Sequence, residues 1–127
     1  MAKVLVVDDE AEVRGVLRMM LTRGGHDVWD VADGVEALRL LDSMSFDLVI
    51  TDVYMATLDG MELLVRMQQR GFQVPVVAMS GGGQKLRGAV LEIAPLVGAV
   101  ATLKKPFTLE QLRATIAPLL PPAAAGP

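Results

Sequence analysis

The sequence predicts a doubly wound α/β domain, in which five parallel strands form one sheet with helices on both faces. Two observations predict this class. Short apolar runs alternate with segments whose apolar residues recur at helical spacing, and this alternation repeats five times before residue 120. The apolar runs are also nearly continuous, as in the strands of a parallel sheet that is covered on both sides.

The five predicted strands are short, and all but one consist mainly of aliphatic residues. They lie at residues 4–7, 27–31, 47–51, 74–79 and 100–103. The second run contains Trp29 and two aspartates and is the most polar of the five. We therefore place it at an edge of the sheet, where a strand is less completely buried.

Five helices are predicted, and glycine, proline and capping residues mark their ends. The helices comprise residues 13–21, residues 34–44, residues 61–70, a segment from Gln84 that breaks around Pro95, and a final segment capped by Thr108. Gly24 and Gly25 end the first helix, and Gly71 ends the third.

Composition limits the possible classes of function. The chain has 127 residues, 52% of them hydrophobic, and a net charge of −3, which disfavours direct nucleic-acid binding. It has no cysteine, which excludes disulfides and thiolate metal sites and fits a cytoplasmic location. No apolar run approaches the roughly 20 residues of a membrane-spanning helix, so no membrane association is expected. Residues 1–120 are predicted to form one domain, followed by a disordered tail or truncated linker at 121–127.

Polar residues follow the predicted strands at the points where those strands end. Asp8 and Asp9 follow the first strand, Asp52 the third, Ser80 the fourth, and Lys104 and Lys105 the fifth. Because the carboxyl ends of parallel strands meet at one edge of a sheet, we expect three carboxylates, a hydroxyl and an ammonium group to converge there.

This combination of groups indicates phosphoryl-transfer chemistry. Carboxylate oxygens are suitable ligands for Mg²⁺, which otherwise keeps water and phosphate oxygens in its coordination shell. A lysine and a serine nearby could bind the remaining oxygens of a phosphoryl group. An aspartate in this position can act as a nucleophile and form an aspartyl phosphate.

Each of these residues also has a purely structural interpretation. Asp9 or Glu10 could begin the first helix, where acidic residues suit the positive end of the helix dipole. Ser80 could stabilise the glycine turn that follows it, and either lysine could be solvated surface charge. His26 follows two glycines, and we expect it to be a turn residue. These interpretations explain the residues singly, but they do not explain why such residues follow successive strands.

The chain resembles the receiver domains of two-component response regulators over residues 3–120. Four segments carry the resemblance, and each ends the appropriate strand: "LVVDDE", "DLVITDVYM" followed by "LDG", "VVAMS" and "LKKPF". The resemblance implies a flavodoxin-like sheet with strand order 2-1-3-4-5 and five helices.

The resemblance also implies a role for each polar residue. Asp52 would be the phosphoacceptor, and Mg²⁺ would be bound by Asp8, Asp9, Asp52 and the backbone carbonyl of Tyr54. Ser80 and Lys105 would contact the phosphoryl oxygens. The bond between Lys105 and Pro106 is expected to be cis.

Partners follow from the same resemblance. The phosphoryl group would come from a histidine kinase or a histidine phosphotransfer protein, and phosphorylation would change the binding of a downstream protein partner or output domain. No enzymatic activity is expected beyond Mg²⁺-dependent self-phosphorylation and dephosphorylation at Asp52. The signalling face is predicted to comprise the helix from Gln84, the fifth strand and the final helix.

Three features depart from the usual receiver pattern. Ala56 stands where receivers usually have proline, and Thr102 stands where they generally carry an aromatic residue. The segment that contains residues 81–83 is a few residues longer than usual. The set of site residues is complete, whereas these departures concern the conformational change that follows phosphorylation.

Three other functions share parts of this pattern. The main alternative is a phosphorylation-independent interaction module that keeps the fold for docking alone. An aspartate-nucleophile phosphatase or transferase would need a second acid, and Tyr54 stands where that acid is expected. A flavin-binding domain shares the topology, but an acidic pocket disfavours an anionic cofactor without a metal.

Overall fold

The computed structural model describes residues 2–53, 60–80 and 98–120, which contain a five-stranded parallel sheet. The strands are β1 (Lys3–Val7), β2 (Asp27–Val31), β3 (Leu48–Asp52), β4 (Val76–Ser80) and β5 (Ala101–Lys104). Their order across the sheet is β2-β1-β3-β4-β5, and all neighbouring strands are parallel. The predicted architecture and strand order are confirmed, including the position of the polar strand β2 at an edge.

Helices cover both faces of this sheet. Within the described ranges they are α1 (Ala11–Arg23), α2 (Gly34–Ser43), α3 (Gly60–Gln69), α4 (Leu109–Ile116) and a short 3₁₀ helix (Ala117–Leu119). None of these helices has both the length and the apolar character needed to cross a bilayer. The helix predicted from Gln84 and the tail at 121–127 lie outside the described residues, so both stay predictions.

The boundaries of β2 match the prediction, and those of the other four strands differ from the predicted ones by one or two residues. β4 begins at Val76 rather than at residue 74, because Pro75 has no N–H to contribute to the ladder. β3 and β5 are each shifted by one residue, so that Asp52 and Lys104 are their last residues. The shift in β3 makes Asp52 the one charged residue of a fully buried strand.

Helix ends are formed by the capping residues that the sequence indicates. Gly24 caps α1 and donates its N–H to carbonyls of the last turn, and Gly25 then adopts φ +88°, a conformation that favours glycine. At the start of α4, the side chain of Thr108 accepts the N–H of Gln111 at 3.1 Å, and the side chain of Gln111 accepts the N–H of Thr108 at 2.8 Å. This reciprocal capping box fixes the turn that leads from β5 into α4.

Apolar side chains pack in two clusters, one on each face of the sheet. Leu41 of α2 and Leu63 of α3 are buried on one face, and Leu17 of α1 and Leu112 of α4 are buried on the other. Every residue of β3 and β4 is buried as a result. The carboxyl ends of these central strands are therefore held from both sides and set the geometry of the edge that carries the polar residues.

His26 lies in the turn before β2, as expected. Its Nδ1 atom accepts the N–H of Ala2 at 3.3 Å, so the imidazole ties the start of the chain to the turn after α1. Burial, and then the positive charge of the amino terminus, lowers the pKa of His26 below its ordinary value of 6.5. The folded state therefore favours the neutral ring, whose Nδ1 can accept this hydrogen bond.

This environment predicts a pH dependence of stability. The unfolded chain protonates His26 more readily than the folded chain, so the free energy of unfolding should fall as the pH drops below 6.5. The fall should be smaller in His26→Asn, whose side-chain oxygen can accept the same N–H but does not titrate. Urea unfolding of both proteins between about pH 8 and about pH 5 measures the difference. Parallel pH profiles would contradict the assignment, since all other titrating groups are common to the two proteins.

Candidate functional site

Two buried carboxylates lie side by side at the carboxyl edge of the sheet. Asp8 follows β1 directly, and its N–H donates to the carbonyl of Val31 at 3.1 Å, which extends the pairing with β2. Val7 is paired with Thr51, so Asp8 comes next to Asp52 at the end of β3. Asp8 is fully buried, and Asp52 is 4% exposed. Like charges this close together and this poorly hydrated require a compensating cation.

Lys105 supplies the compensating charge. Its Nζ atom lies 2.7 Å from Oδ2 of Asp8, 3.4 Å from Oδ2 of Asp52 and 3.6 Å from Oε1 of Glu10. The lysine side chain is only 10% exposed, so water screens these interactions little. Its position is fixed by the backbone, because the N–H of Lys105 donates to the carbonyl of Ser80 at 2.9 Å. The bond from Lys105 to Pro106 is cis, as expected.

Two opposing effects act on the pKa of Lys105. Burial by itself would lower the pKa, but the hydrogen bond to Asp8 and the negative charges of Asp52 and Asp8 outweigh burial. The pKa therefore lies above its ordinary value of 10.5. Lys105 is charged throughout the neutral pH range and stays paired with both carboxylates.

Ser80 brings a hydroxyl to the same edge from β4. Ser80 is paired with Lys104 of β5. Met79, the residue before Ser80, is paired with Asp52 of β3. Ser80 is fully buried, and its Oγ atom has no hydrogen-bond partner among the described residues. Leaving a buried hydroxyl unpaired costs about 1–3 kcal/mol. This indicates a site shaped for a further polar atom, one that the described residues do not supply.

Four carboxylates form an oxygen-rich cluster here. One oxygen from each of Asp8, Asp9, Glu10 and Asp52 lies within 4.8 Å of the others. Opposite ligands of an octahedral Mg²⁺ ion lie roughly 4 Å apart, since each bond is about 2.0–2.1 Å long. Asp9 and Glu10 are exposed, which leaves access for water and for phosphate oxygens. The number, hardness and spacing of these oxygens fit Mg²⁺.

The start of α1 shows which residue of the acidic run begins the helix. Glu10 occupies the N-cap position, but its side chain makes no capping hydrogen bond. Oδ1 of Asp8 accepts the N–H of Glu10 instead, at 2.9 Å. Glu10 thus begins the helix, as one interpretation expected, and its carboxylate also belongs to the acidic cluster. The three consecutive acidic residues in "DDE" could have indicated that Glu10 belongs to this cluster.

The other residues singled out in the sequence fall into two groups. Lys104 and Thr102 are exposed on β5. Tyr54, Ala56 and the segment 81–83 lie outside the described residues. The metal-ligand role of the Tyr54 carbonyl and the effect of the longer segment stay predictions.

Arg14 is a neighbour of the site that the sequence analysis did not identify. Its Nη1 atom donates to the backbone carbonyl of Asp8 at 2.7 Å, and its Nε donates to Asp30 of β2 at 3.2 Å. One feature of the sequence could have indicated this contact: Arg14 is a charged residue in the first turns of α1, close to the inward-facing Leu17. The side chain of Arg14 is only 20% exposed, so its positive charge needs partners within the fold.

Comparison with known proteins identifies one family. The family described as "Response regulator receiver domain" matches residues 4–117. The response regulator MprA from Mycobacterium sp. (strain KMS) is 39% identical over 120 residues, covering 93% of this chain and 50% of MprA. The transcriptional regulatory protein TcrA from Mycobacterium tuberculosis is 36% identical over 116 residues, covering 90% of this chain and 44% of TcrA. The chain thus spans about half the length of the curated relatives it matches.

Solved structures show the same similarity. The chemotaxis protein CheY4 from Vibrio cholerae has a TM-score of 0.81 and 34% identity, covering 94% of this chain and 99% of CheY4. The response regulator TrrA from Thermotoga maritima, in complex with Mg²⁺ and BeF, has a TM-score of 0.82 and 26% identity. That match covers 94% of this chain and 100% of TrrA.

The lysine at the centre of the site predicts a stability effect. Lys105→Met should lower the free energy of unfolding by about 3 kcal/mol without Mg²⁺, because two buried carboxylates lose their counter-ion. Added Mg²⁺ should restore much of that loss and raise the melting temperature more than in the wild-type chain. Lys104→Met, a matched change at an exposed neighbour, should alter neither quantity. Equal stability of the two variants at every Mg²⁺ concentration would show that Lys105 is not the counter-ion.

Proposed function

Because the chain belongs to the response regulator receiver family and is a receiver domain of two-component signalling, we propose that Asp52 is its phosphoacceptor. The phosphoryl group would come from a phosphohistidine of a histidine kinase or a histidine phosphotransfer protein. Asp8, Asp9 and Asp52, with the backbone carbonyl of Tyr54, would bind the Mg²⁺ ion that the reaction uses. Glu10 lies close enough to add a fourth carboxylate.

The observation that carries this proposal is the hydroxyl of Ser80. It is buried at the end of β4, in register with the residues after Asp52, and has no partner among the described residues. A docking module that never bound a phosphoryl group would gain stability by replacing this serine with alanine. A phosphoryl oxygen on Asp52 would supply the missing acceptor.

Each side chain of the site has a separate role in the proposed reaction. A carboxylate oxygen of Asp52 attacks phosphorus, the bond from phosphorus to the donor's imidazole nitrogen breaks, and the electron pair leaves with that nitrogen. Lys105 already lies 3.4 Å from Asp52, so its ammonium group can donate to the phosphoryl oxygens gained there. Ser80 donates its hydroxyl to another of these oxygens. When bound, Mg²⁺ supplies positive charge that offsets the carboxylates and the phosphoryl oxygens.

Signalling consequences belong to the same proposal. Phosphorylation would change the binding of a downstream protein partner or an attached output domain, and the chain would act in the cytoplasm. The chemistry would be limited to self-phosphorylation and dephosphorylation at Asp52. Of the predicted signalling face, β5 and α4 are described, whereas the helix from Gln84 lies outside the described residues. The signalling role of this face stays a prediction.

The first test is labelling by a small phosphodonor. Asp52→Asn should abolish Mg²⁺-dependent, hydroxylamine-sensitive labelling, because an amide oxygen is a far weaker nucleophile than a carboxylate. The fold should persist, since the change is nearly isosteric and removes one of several repelling charges. Mass spectrometry of the wild-type chain, Asp52→Asn and Asp42→Asn, an exposed control, measures the uptake.

The outcomes separate the proposal from its main alternative. Labelling of the wild-type chain and of Asp42→Asn, with none in Asp52→Asn, supports phosphotransfer to Asp52. A wild-type chain that takes up no label at any Mg²⁺ concentration would favour the phosphorylation-independent interaction module. Label that persists on Asp52→Asn would mean that another residue is the acceptor.

The second test separates function from stability at Ser80. Ser80→Ala should leave the free energy of unfolding unchanged or raise it by about 1 kcal/mol, because it removes an unpaired buried hydroxyl. The same variant should take up phosphate more slowly, since one donor to the phosphoryl oxygens is lost. Thr51→Val is the stability control: Thr51 is also buried, but its Oγ1 donates to the carbonyl of Asp52 at 3.0 Å. If Ser80→Ala were destabilised as much as Thr51→Val, the hydroxyl of Ser80 would be structural.

A further inference from the structure

Asp30 of the edge strand β2 receives two arginines from α1. Nε of Arg14 lies 3.2 Å from Oδ2 of Asp30. Arg18 binds the other oxygen, Oδ1, through Nε at 2.9 Å and Nη2 at 2.5 Å. The side chains of Arg14 and Asp30 are 20% and 24% exposed, and that of Arg18 is 50% exposed. Each carboxylate oxygen thus serves one arginine, and Asp30 sets the direction in which Arg14 extends.

The other end of Arg14 reaches the acidic cluster through the backbone. Nη1 of Arg14 donates to the carbonyl oxygen of Asp8 at 2.7 Å, a short, charge-assisted hydrogen bond. That carbonyl belongs to the peptide unit that joins Asp8 to Asp9. The guanidinium therefore holds the segment that carries two of the four clustered carboxylates.

Asp8 has a partner for each of its polar atoms. Its N–H donates to Val31, its Oδ1 accepts from Glu10, its Oδ2 accepts from Lys105, and its carbonyl accepts from Arg14. Asp8 is fully buried, so loss of Arg14 would leave a buried carbonyl unpaired. The peptide unit would then gain freedom to rotate, and the two carboxylates on either side of it would move apart.

We propose that Arg14, braced by Asp30, is a positioning residue for the divalent cation of this site. It fixes the peptide between Asp8 and Asp9 so that both carboxylates face one cation position. The identity of that cation as Mg²⁺ rests on the proposed function. Groups that orient metal ligands from outside the coordination shell commonly change metal affinity by about 10–100-fold.

Charge and position predict opposite effects of removing Arg14. A guanidinium is a positive charge beside a cation site, so charge alone predicts that its removal strengthens Mg²⁺ binding. Positioning predicts that its removal weakens binding. Arg18 offers a matched control, because it shares Asp30 and carries the same charge, whereas the backbone contact to Asp8 is made by Arg14.

A titration of the full chain with Mg²⁺, followed by amide chemical shifts at constant ionic strength, tests the proposal. Arg14→Met should weaken Mg²⁺ binding about tenfold. Arg14→Lys should recover part of that loss, because an ammonium group can still donate to the carbonyl of Asp8. Arg18→Met should bind Mg²⁺ as well as the wild-type chain or slightly better. Wild-type or tighter binding by Arg14→Met would overturn the proposal.

A second measurement, made without metal, distinguishes failure of this proposal from failure of the proposed function. Hydrogen exchange of the Glu10 amide, which donates to Asp8, should be about tenfold faster in Arg14→Met and unchanged in Arg18→Met. If the wild-type chain fails to bind Mg²⁺ but this difference is found, the proposed function fails and the positioning role stands. If Mg²⁺ binds and neither quantity changes in Arg14→Met, the positioning role alone is overturned.

A further variant covers the case in which Arg14→Met does not fold. Asp30→Asn keeps Arg14 and removes only the charge that directs it. It should weaken Mg²⁺ binding in the same direction as Arg14→Met but to a smaller extent. If Asp30→Asn changes neither Mg²⁺ binding nor hydrogen exchange at Glu10, Asp30 does not orient Arg14.

Discussion

The ammonium group of Lys105, held between two buried carboxylates, is the interaction on which the site depends. Asp8 and Asp52 bring two buried like charges to one strand edge, and this nearby cation offsets their repulsion. The fold brings that cation from the far end of the chain, 97 residues from Asp8. It can do so because parallel strands end at one edge, so residues distant in sequence become neighbours in space. One positive charge can then serve the resting site and, under the proposed function, the phosphorylated one.

Much of the fold was predictable because its signals are local. The aliphatic runs predicted the strands, and the cap at Thr108 and the glycines after α1 predicted helix ends that the structure contains. The strand ends also indicated which side chains would share an edge. The partners of those side chains were not predictable, because they depend on register and rotamer across elements far apart in sequence. Two features of this kind are the hydroxyl of Ser80, which lacks a partner among the described residues, and the contact of Arg14 with a backbone carbonyl. Neither produces a pattern in the spacing of residues along the sequence.

Two kinds of order coexist at the carboxyl edge. Asp8 is held by contacts from β2, α1 and the segment after β5, so its carboxylate has one orientation before any ligand arrives. Ser80 has a fixed backbone, but its side chain has no hydrogen-bond partner in the described part of the chain. Under the proposed function, the first kind of order fixes the geometry of the cation site, and the second leaves a donor for the phosphoryl group. The edge strand β2 contributes to the first kind through Asp30, although it carries none of the clustered carboxylates.

The hydroxyl of Ser80, which has no partner among the described residues, and the crowded carboxylates are features that the proposed function uses at a cost in stability. Both features make the resting domain less stable than an apolar or neutral version of the same fold would be. A laboratory evolution experiment that rewards only thermal resistance would therefore favour substitutions at these positions. The selected variants would be more stable but, under the proposed function, would no longer accept a phosphoryl group. The amino-acid preferences at this edge thus record what the domain does more faithfully than those of its core, where stability and activity favour the same residues.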